Sequence, residues 1–97
     1  MSQLKAAIIG CGGVARVHAH AINDNTDAQL MATVDIIEER ATKYAHKYGH
    51  KTCKAYTDYK EMLKDPTIDV VHVCGPHYLH APMVIDTLKA GKNVITE

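Results

Sequence analysis

No stretch of the 97 residues is long and apolar enough to span a membrane, and the amino terminus, MSQLKAAIIGCGG, lacks the order of regions that marks a secretory signal. Both absences point to a cytoplasmic protein. A basic stripe is missing as well. Eleven Lys and Arg are balanced by eleven Asp and Glu, which removes the electrostatic footprint of a nucleic-acid binder. The three cysteines, Cys11, Cys53 and Cys74, form no C-x-x-C pair, so they read as reduced thiols rather than a disulfide frame. No repeat, linker or low-complexity tract interrupts the chain, and residues 1–97 are expected to form one domain at most.

What is present is a 46% hydrophobic complement spread over the whole length. Short apolar runs alternate with amphipathic stretches. Lys5–Ile9, closed by Gly10, predicts a buried strand, and Val14, Val17, Ala21 and Ile22 then recur at helical spacing. Gln29–Val34 predicts a second strand. Ile37, Ala41, Tyr44, Ala45 and Tyr48 mark one face of a second helix, with Gly49 where a C-terminal glycine belongs.

Thr52–Tyr56 is a weaker strand. Asp58 and Glu61 have the spacing of a capping box opening a short helix that ends before Pro66. Asp69–Cys74 is the clearest strand. Pro82 suits the first turn of a helix with Ala81, Val84, Ile85 and Leu88 on its apolar face, Gly91 closes that helix, and Asn93–Thr96 begins a fifth strand. This alternation predicts an α/β fold: a Rossmann-like, doubly wound parallel sheet of order 3-2-1-4-5, incomplete at its C-terminal edge.

The motif that carries most chemistry is Gly10-Cys11-Gly12-Gly13-Val14-Ala15, a G-x-G-x-x-A between a predicted strand and a predicted helix. Gly10 permits a tight turn, Gly12 lets a pyrophosphate approach the backbone, and Ala15 lets the helix pack closely on the strand. The helix N-terminus then offers free N–H groups and a positive dipole end to phosphate. Asp35 lies twenty residues after Ala15, at the end of the second strand, where a carboxylate accepts hydrogen bonds from adenosine ribose hydroxyls. A carboxylate there repels a 2′-phosphate, and Ile36 and Ile37 supply no cation, so NAD is favoured over NADP. Arg40, the nearest basic residue, leaves that choice open. A methyltransferase is a rival, but such enzymes usually carry an acid just before the glycine loop, and Lys5–Ile9 has none.

The stretch IIGCGGVARVHAHAI, with His18 in a G-x-G-x-x-[GA]-x-x-H pattern, resembles the opening of the glucose–fructose oxidoreductase / inositol dehydrogenase (Gfo/Idh/MocA) family. DVVHVCGPHYLHAPMVIDTLKAGKNVITE resembles its second signature through Gly75, Pro76, His77, His80, Ala90-Gly91-Lys92, Val94 and Glu97. Gly75 stands where Thr or Ser is common, and His77 where Asn is common. The chain ends at Glu97, before the Lys and Pro of the family's Glu-Lys-Pro motif.

The resemblance implies a dehydrogenase that passes hydride from a secondary alcohol of a sugar, cyclitol or related polyol to NAD. It also implies a second α/β domain holding most substrate contacts, the general acid/base and a homo-oligomer interface. On that basis the chain is expected to be the cofactor half, inactive alone and without catalytic residues. The alternative is a stand-alone nucleotide-binding or regulatory module. The expected cofactor-binding residues are Gly10, Cys11, Gly12, Gly13, Val14 and Ala15 in the loop and Asp35 and Ile36 after the second strand. Gly75, Pro76, His77 and His80 are expected in the crevice between strands 1 and 4, and Glu97 near the nicotinamide ribose. An unpaired edge at Asn93–Thr96 is a second route to self-association.

The histidines invite a metal reading, but His18 and His20 are two apart on a helix and point away from each other, so no metal site is expected. His72 alternates within an apolar strand as a satisfied core histidine. His46 and His50 are expected to face solvent. Cys11, at a helix N-terminus, is either an activated thiol or a small filler, and the filler is preferred. Tyr44 and Tyr48 are expected to pack in the core.

Overall fold

The computed structural model describes residues 4–74 and 80–96, with the side chain of His80 outside the description. The elements run β1 (Leu4–Ile9), α1 (Ala15–Asp24), β2 (Ala28–Val34), α2 (Glu38–Tyr48), β3 (Lys54–Tyr56), α3 (Tyr59–Leu63), β4 (Val70–Val73), α4 (His80–Lys89) and β5 (Asn93–Thr96). The five strands form one parallel sheet in the order β3-β2-β1-β4-β5, as the strand–helix alternation predicts. Among the described residues, no helix is long and apolar enough to cross a membrane.

The central strand shows why the sheet needs helices on both faces. Ala6 and Ile8 pack with Ala15, Ala19, Ile22, Leu30 and Tyr48 on the α1/α2 side. Ala7 and Ile9 pack with Ala32, Val34, Met62, Ile68, Val71 and Val73 on the α3/α4 side. A strand alternates its side chains between two faces, so the continuous apolar run of β1 serves two cores. Burial of a side chain such as Ile8 or Met62, both fully enclosed, contributes about 2 kcal/mol.

Two helix faces differ from those expected. On α1 the buried positions are Ala15, His18, Ala19 and Ile22, whereas Val14 and Val17 are 51% and 65% exposed and Ala21 is exposed too. The small Ala15 and Ala19 bring the helix close to β1, and that close packing outweighs the burial of two valines. On α4, Ile85 and Leu88 are exposed, Met83 and Val84 pack on the core and Thr87 is buried. Thr87 meets its polarity locally, donating to the Met83 carbonyl at 2.7 Å. On α2, Ala41 and Tyr48 are buried as expected, but Ile37 is 44% exposed.

The turns carry their own corrections. Gly91 closes α4 with φ +80°, the left-handed conformation glycine tolerates. Gly49 does not play this part after α2: its φ is −78° and its ψ 158°. A Cβ there would lie 2.5 Å from the Ala45 carbonyl oxygen and 2.5 Å from the Cys53 Cβ, so close packing is what requires glycine. Asp58 caps α3 by accepting from the Lys60 N–H at 2.9 Å, while Glu61 pairs with Lys64 at 2.7 Å rather than reaching back to complete a box.

Candidate functional site

The C-terminal ends of β1, β2 and β4 meet where the strand order reverses, the place at which open α/β sheets bind ligands. The loop from Gly10 to Val14 is built there from backbone contacts. Gly10 takes φ +90° and donates to the Val34 carbonyl at 2.7 Å, which turns the chain sharply out of β1. Ala15, Arg16 and Val17 donate to the carbonyls of Gly12, Gly13 and Val14 at 3.1, 3.3 and 3.2 Å and close the first turn of α1. From α2, the Tyr44 hydroxyl donates to the Gly12 carbonyl at 2.7 Å.

The N–H groups of Gly12, Gly13 and Val14 have no hydrogen-bond partner among the described residues, and all three residues are exposed. α1 has no acidic residue in its first turn and no side-chain cap, so its positive dipole end is open. A Cβ added at Gly12 or Gly13 would meet nothing within 4 Å. Among the described residues nothing in the packing demands glycine there, whereas a ligand approaching the backbone would.

Asp35 sits just beyond β2, 9% exposed. Its Oδ2 accepts from the Cys11 N–H at 2.9 Å and its Oδ1 from the Ile37 N–H at 2.8 Å. The carboxylate thus joins the glycine loop to the start of α2, and each oxygen keeps capacity for one more donor. Ile36, beside it, is 87% exposed. Cys11 is 3% exposed, and its thiol donates to the Val34 carbonyl at 3.5 Å. Burial, with the Asp35 charge next to it, pushes that thiol up to about 12, so it fills space rather than acting as a nucleophile.

Beneath the loop is an arrangement that sequence reasoning missed. Nδ1 of His18 and Nδ1 of His72 share a hydrogen bond of 2.9 Å, one ring donating and the other accepting, with the rings edge to face at 5.1 Å. The pair joins α1 to β4, and burial followed by the neighbouring His18 pulls His72 down to about 4. The signal was available: an inward-facing histidine on a central strand needs a partner, and His18 was the histidine already singled out on the neighbouring helix.

Of the expected site residues, the structure brings Gly10, Cys11, Gly12, Gly13, Val14, Ala15, Asp35 and Ile36 to one end of the sheet. Gly75, Pro76, His77 and Glu97 lie outside the described residues, as does the side chain of His80. Among the described residues, no group of three or more His, Cys, Asp or Glu side chains is placed to hold a metal. His46 is exposed, while His50 is half-buried and bonded to the Thr52 hydroxyl at 3.0 Å. Tyr48 is buried as expected. Tyr44, expected in the core, is half-buried with its hydroxyl on the loop.

Residues 4–97 match the model of an oxidoreductase family with an NAD-binding Rossmann fold. The chain is 35% identical over 94 residues to myo-inositol 2-dehydrogenase of Thermotoga maritima, an alignment covering 97% of this chain and 28% of that protein. Among solved structures, GenD2 from gentamicin A biosynthesis in complex with NAD superposes with a TM-score of 0.91 at 28% identity, over 99% of this chain and 27% of that one. Myo-inositol dehydrogenase from Lactobacillus casei in complex with NAD(H) and myo-inositol gives a TM-score of 0.89 at 30% identity, over 97% and 28%. The chain therefore spans little more than a quarter of the relatives it matches. It belongs to the Gfo/Idh/MocA oxidoreductase family, within the NAD-binding Rossmann domain.

Proposed function

We propose that this domain holds NAD(H) for a dehydrogenase acting on a secondary alcohol of a sugar, cyclitol or related polyol. The observation that carries the reading is the loop itself. Among the described residues, the N–H groups of the exposed Gly12, Gly13 and Val14 stand without partners at an uncapped helix N-terminus, and glycines stand where the packing would admit a side chain. A pyrophosphate supplies the missing acceptors and the reason for the missing Cβ atoms. Gly12, Gly13 and Val14 bind it, and Asp35, already oriented by Cys11 and Ile37, accepts from the adenosine ribose hydroxyls. Ile36 offers its exposed side chain to the adenine.

Bound NAD supplies the hydride acceptor, while the residues of this chain bind and orient it. The polyol preference rests on the likeness to the inositol dehydrogenases. Gly75, Pro76, His77, His80 and Glu97 are proposed to line the nicotinamide end. The family resemblance implies substrate contacts and an acid/base group outside the matched quarter of the relatives, and on that reading this chain alone binds nucleotide without turning over substrate.

Calorimetric titration with NAD, repeated on Asp35→Ala, tests the cofactor role. Binding that weakens about tenfold or more in the variant is expected for loss of a charged hydrogen-bond acceptor. A folded protein that ignores NAD, as judged by a melting curve on the same sample, contradicts the proposal.

A further inference from the structure

The bond between His18 and His72 is a polar contact in apolar surroundings. Along the buried stripe of α1, His18 has Ala15, Ala19 and Ile22 as companions. On the facing side of the sheet, Ala6, Ile8 and Leu30 are apolar, and Val70 and Cys74 share that face of β4 with His72. Apolar contact is non-directional, so it holds a helix on a sheet without fixing where along the strands the helix stands. A buried hydrogen bond adds little net stability over an apolar pair of the same shape, but it admits a narrow range of distance and angle. The two rings are 9% and 7% exposed, and their Nδ1 atoms are 2.9 Å apart. That contact sets the position of α1 relative to β4. Burial first, and His18 second, hold His72 down to about 4, so at neutral pH it is an uncharged partner.

The place of the bond gives it a consequence beyond packing. His18 is about one helical turn from Val14, the last residue of the glycine loop. His72 pairs in register with Ile8, and Val73 with Ile9, so β1 and β4 reach the open end of the sheet at the same level. The glycine loop follows β1, and the crevice proposed above for the nicotinamide end follows β4. A dinucleotide laid over this end is gripped from α1 on one side and from β4 on the other. A shift of α1 against β4 would spoil simultaneous contact with both, because binding groups must be held in register by the residues behind them.

We propose that His18 and His72 are positioning residues for the dinucleotide: their bond fixes the glycine loop relative to the end of β4, so that both halves of the cofactor are held at once. The proposal rests on the cofactor reading above. The pair then matters for a ligand that extends past β1, and not for one that ends at the pyrophosphate.

The test is calorimetric titration with NAD and with ADP, which carries the adenosine and the diphosphate but no nicotinamide. His18→Leu/His72→Leu removes both rings together, so no buried imidazole is left without a partner. His72→Asn places an amide where Nδ1 stood and keeps a hydrogen bond to His18 within reach. The double variant should weaken NAD about tenfold and ADP by less than about twofold, while His72→Asn should keep NAD within about threefold of wild type. Equal weakening of NAD and ADP, or unchanged binding of both, in a double variant that a melting curve shows to be folded overturns the proposal. So does a folded His72→Asn variant that binds NAD as weakly as the double variant. The imidazole nitrogen resonances of His72 in the wild-type protein give a reading that needs no variant. They should shift as NAD saturates and stay in place as ADP saturates, and the same response to both ligands overturns the proposal. A wild-type chain that binds ADP and NAD with equal affinity overturns this proposal alone, whereas one that binds neither overturns the cofactor reading with it.

Discussion

Gly12 and Gly49 both stand at helix ends, one before α1 and one after α2, and neither needs a left-handed backbone. They are glycine for opposite reasons. Around Gly49 the protein is packed so tightly that a Cβ would overlap the Ala45 carbonyl and the Cys53 side chain. Around Gly12 there is nothing among the described residues for a Cβ to touch. One glycine serves the fold and the other serves a molecule the fold receives. The two helix starts differ in the same way. Glu38 and Glu39 complement the dipole of α2 in its first turn, whereas α1 has no acidic first-turn residue and keeps its positive end for an anion.

The largest expected effect concerns what lies under the loop. His72 takes its proton near 6.5 in an unfolded chain and near 4 in the fold. Between those values the unfolded state binds more protons, so stability is intact above about pH 7 and falls as pH drops toward 4. The full loss is about 3 kcal/mol, at roughly 1.4 kcal/mol per pKa unit. Urea unfolding from pH 7.5 to 4.5 measures it, and His72→Gln, which does not titrate there, should flatten the slope. A wild-type stability independent of pH over that range would mean the histidine pair is not held as described.

Next comes the packed glycine. Gly49→Ala should cost about 2 kcal/mol, the scale of overpacking, while the molecules that remain folded bind NAD as before. Gly12→Val should do the reverse, leaving the melting temperature nearly unchanged and weakening NAD by about tenfold or more as the side chain meets the pyrophosphate. If Gly12→Val destabilised the fold and left binding alone, the contrast between the two glycines would collapse.

Smaller effects sharpen the same contrast. Tyr44→Phe removes the hydroxyl that fixes the Gly12 carbonyl and should cost about 1 kcal/mol, visible in denaturant titration, with a modest loss of NAD affinity. The thiols of Cys11 and Cys53, pushed up to about 12 and about 11 by burial, should resist iodoacetamide at pH 8 in the native protein and react on unfolding. Rapid alkylation of native Cys11 would contradict its role as filler.

Much of this was legible in the sequence, for identifiable reasons. Strand order follows from alternation and handedness, and the loop from glycines between a strand and a helix with Asp35 at the proper distance. The faces of α1 and α4 were not legible from periodicity alone. Helical spacing fits Val14/Val17 as well as Ala15/Ala19, and Ile85/Leu88 as well as Met83/Thr87. What decided was close approach at the alanines and local hydrogen bonding at Thr87. Gly49 shows a similar gap: a glycine after a helix suggests a left-handed cap, and only its distance to Cys53 reveals the crowding.

The most direct test of the loop's role is NMR mapping of backbone amides during titration with NAD. Shifts that saturate together at Gly12, Gly13, Val14 and Ile36, with Thr42 and His46 on α2 unmoved, are the expected result. Saturable NAD binding that left the Gly12, Gly13 and Val14 amides unperturbed would contradict the assignment of those free N–H groups to the pyrophosphate.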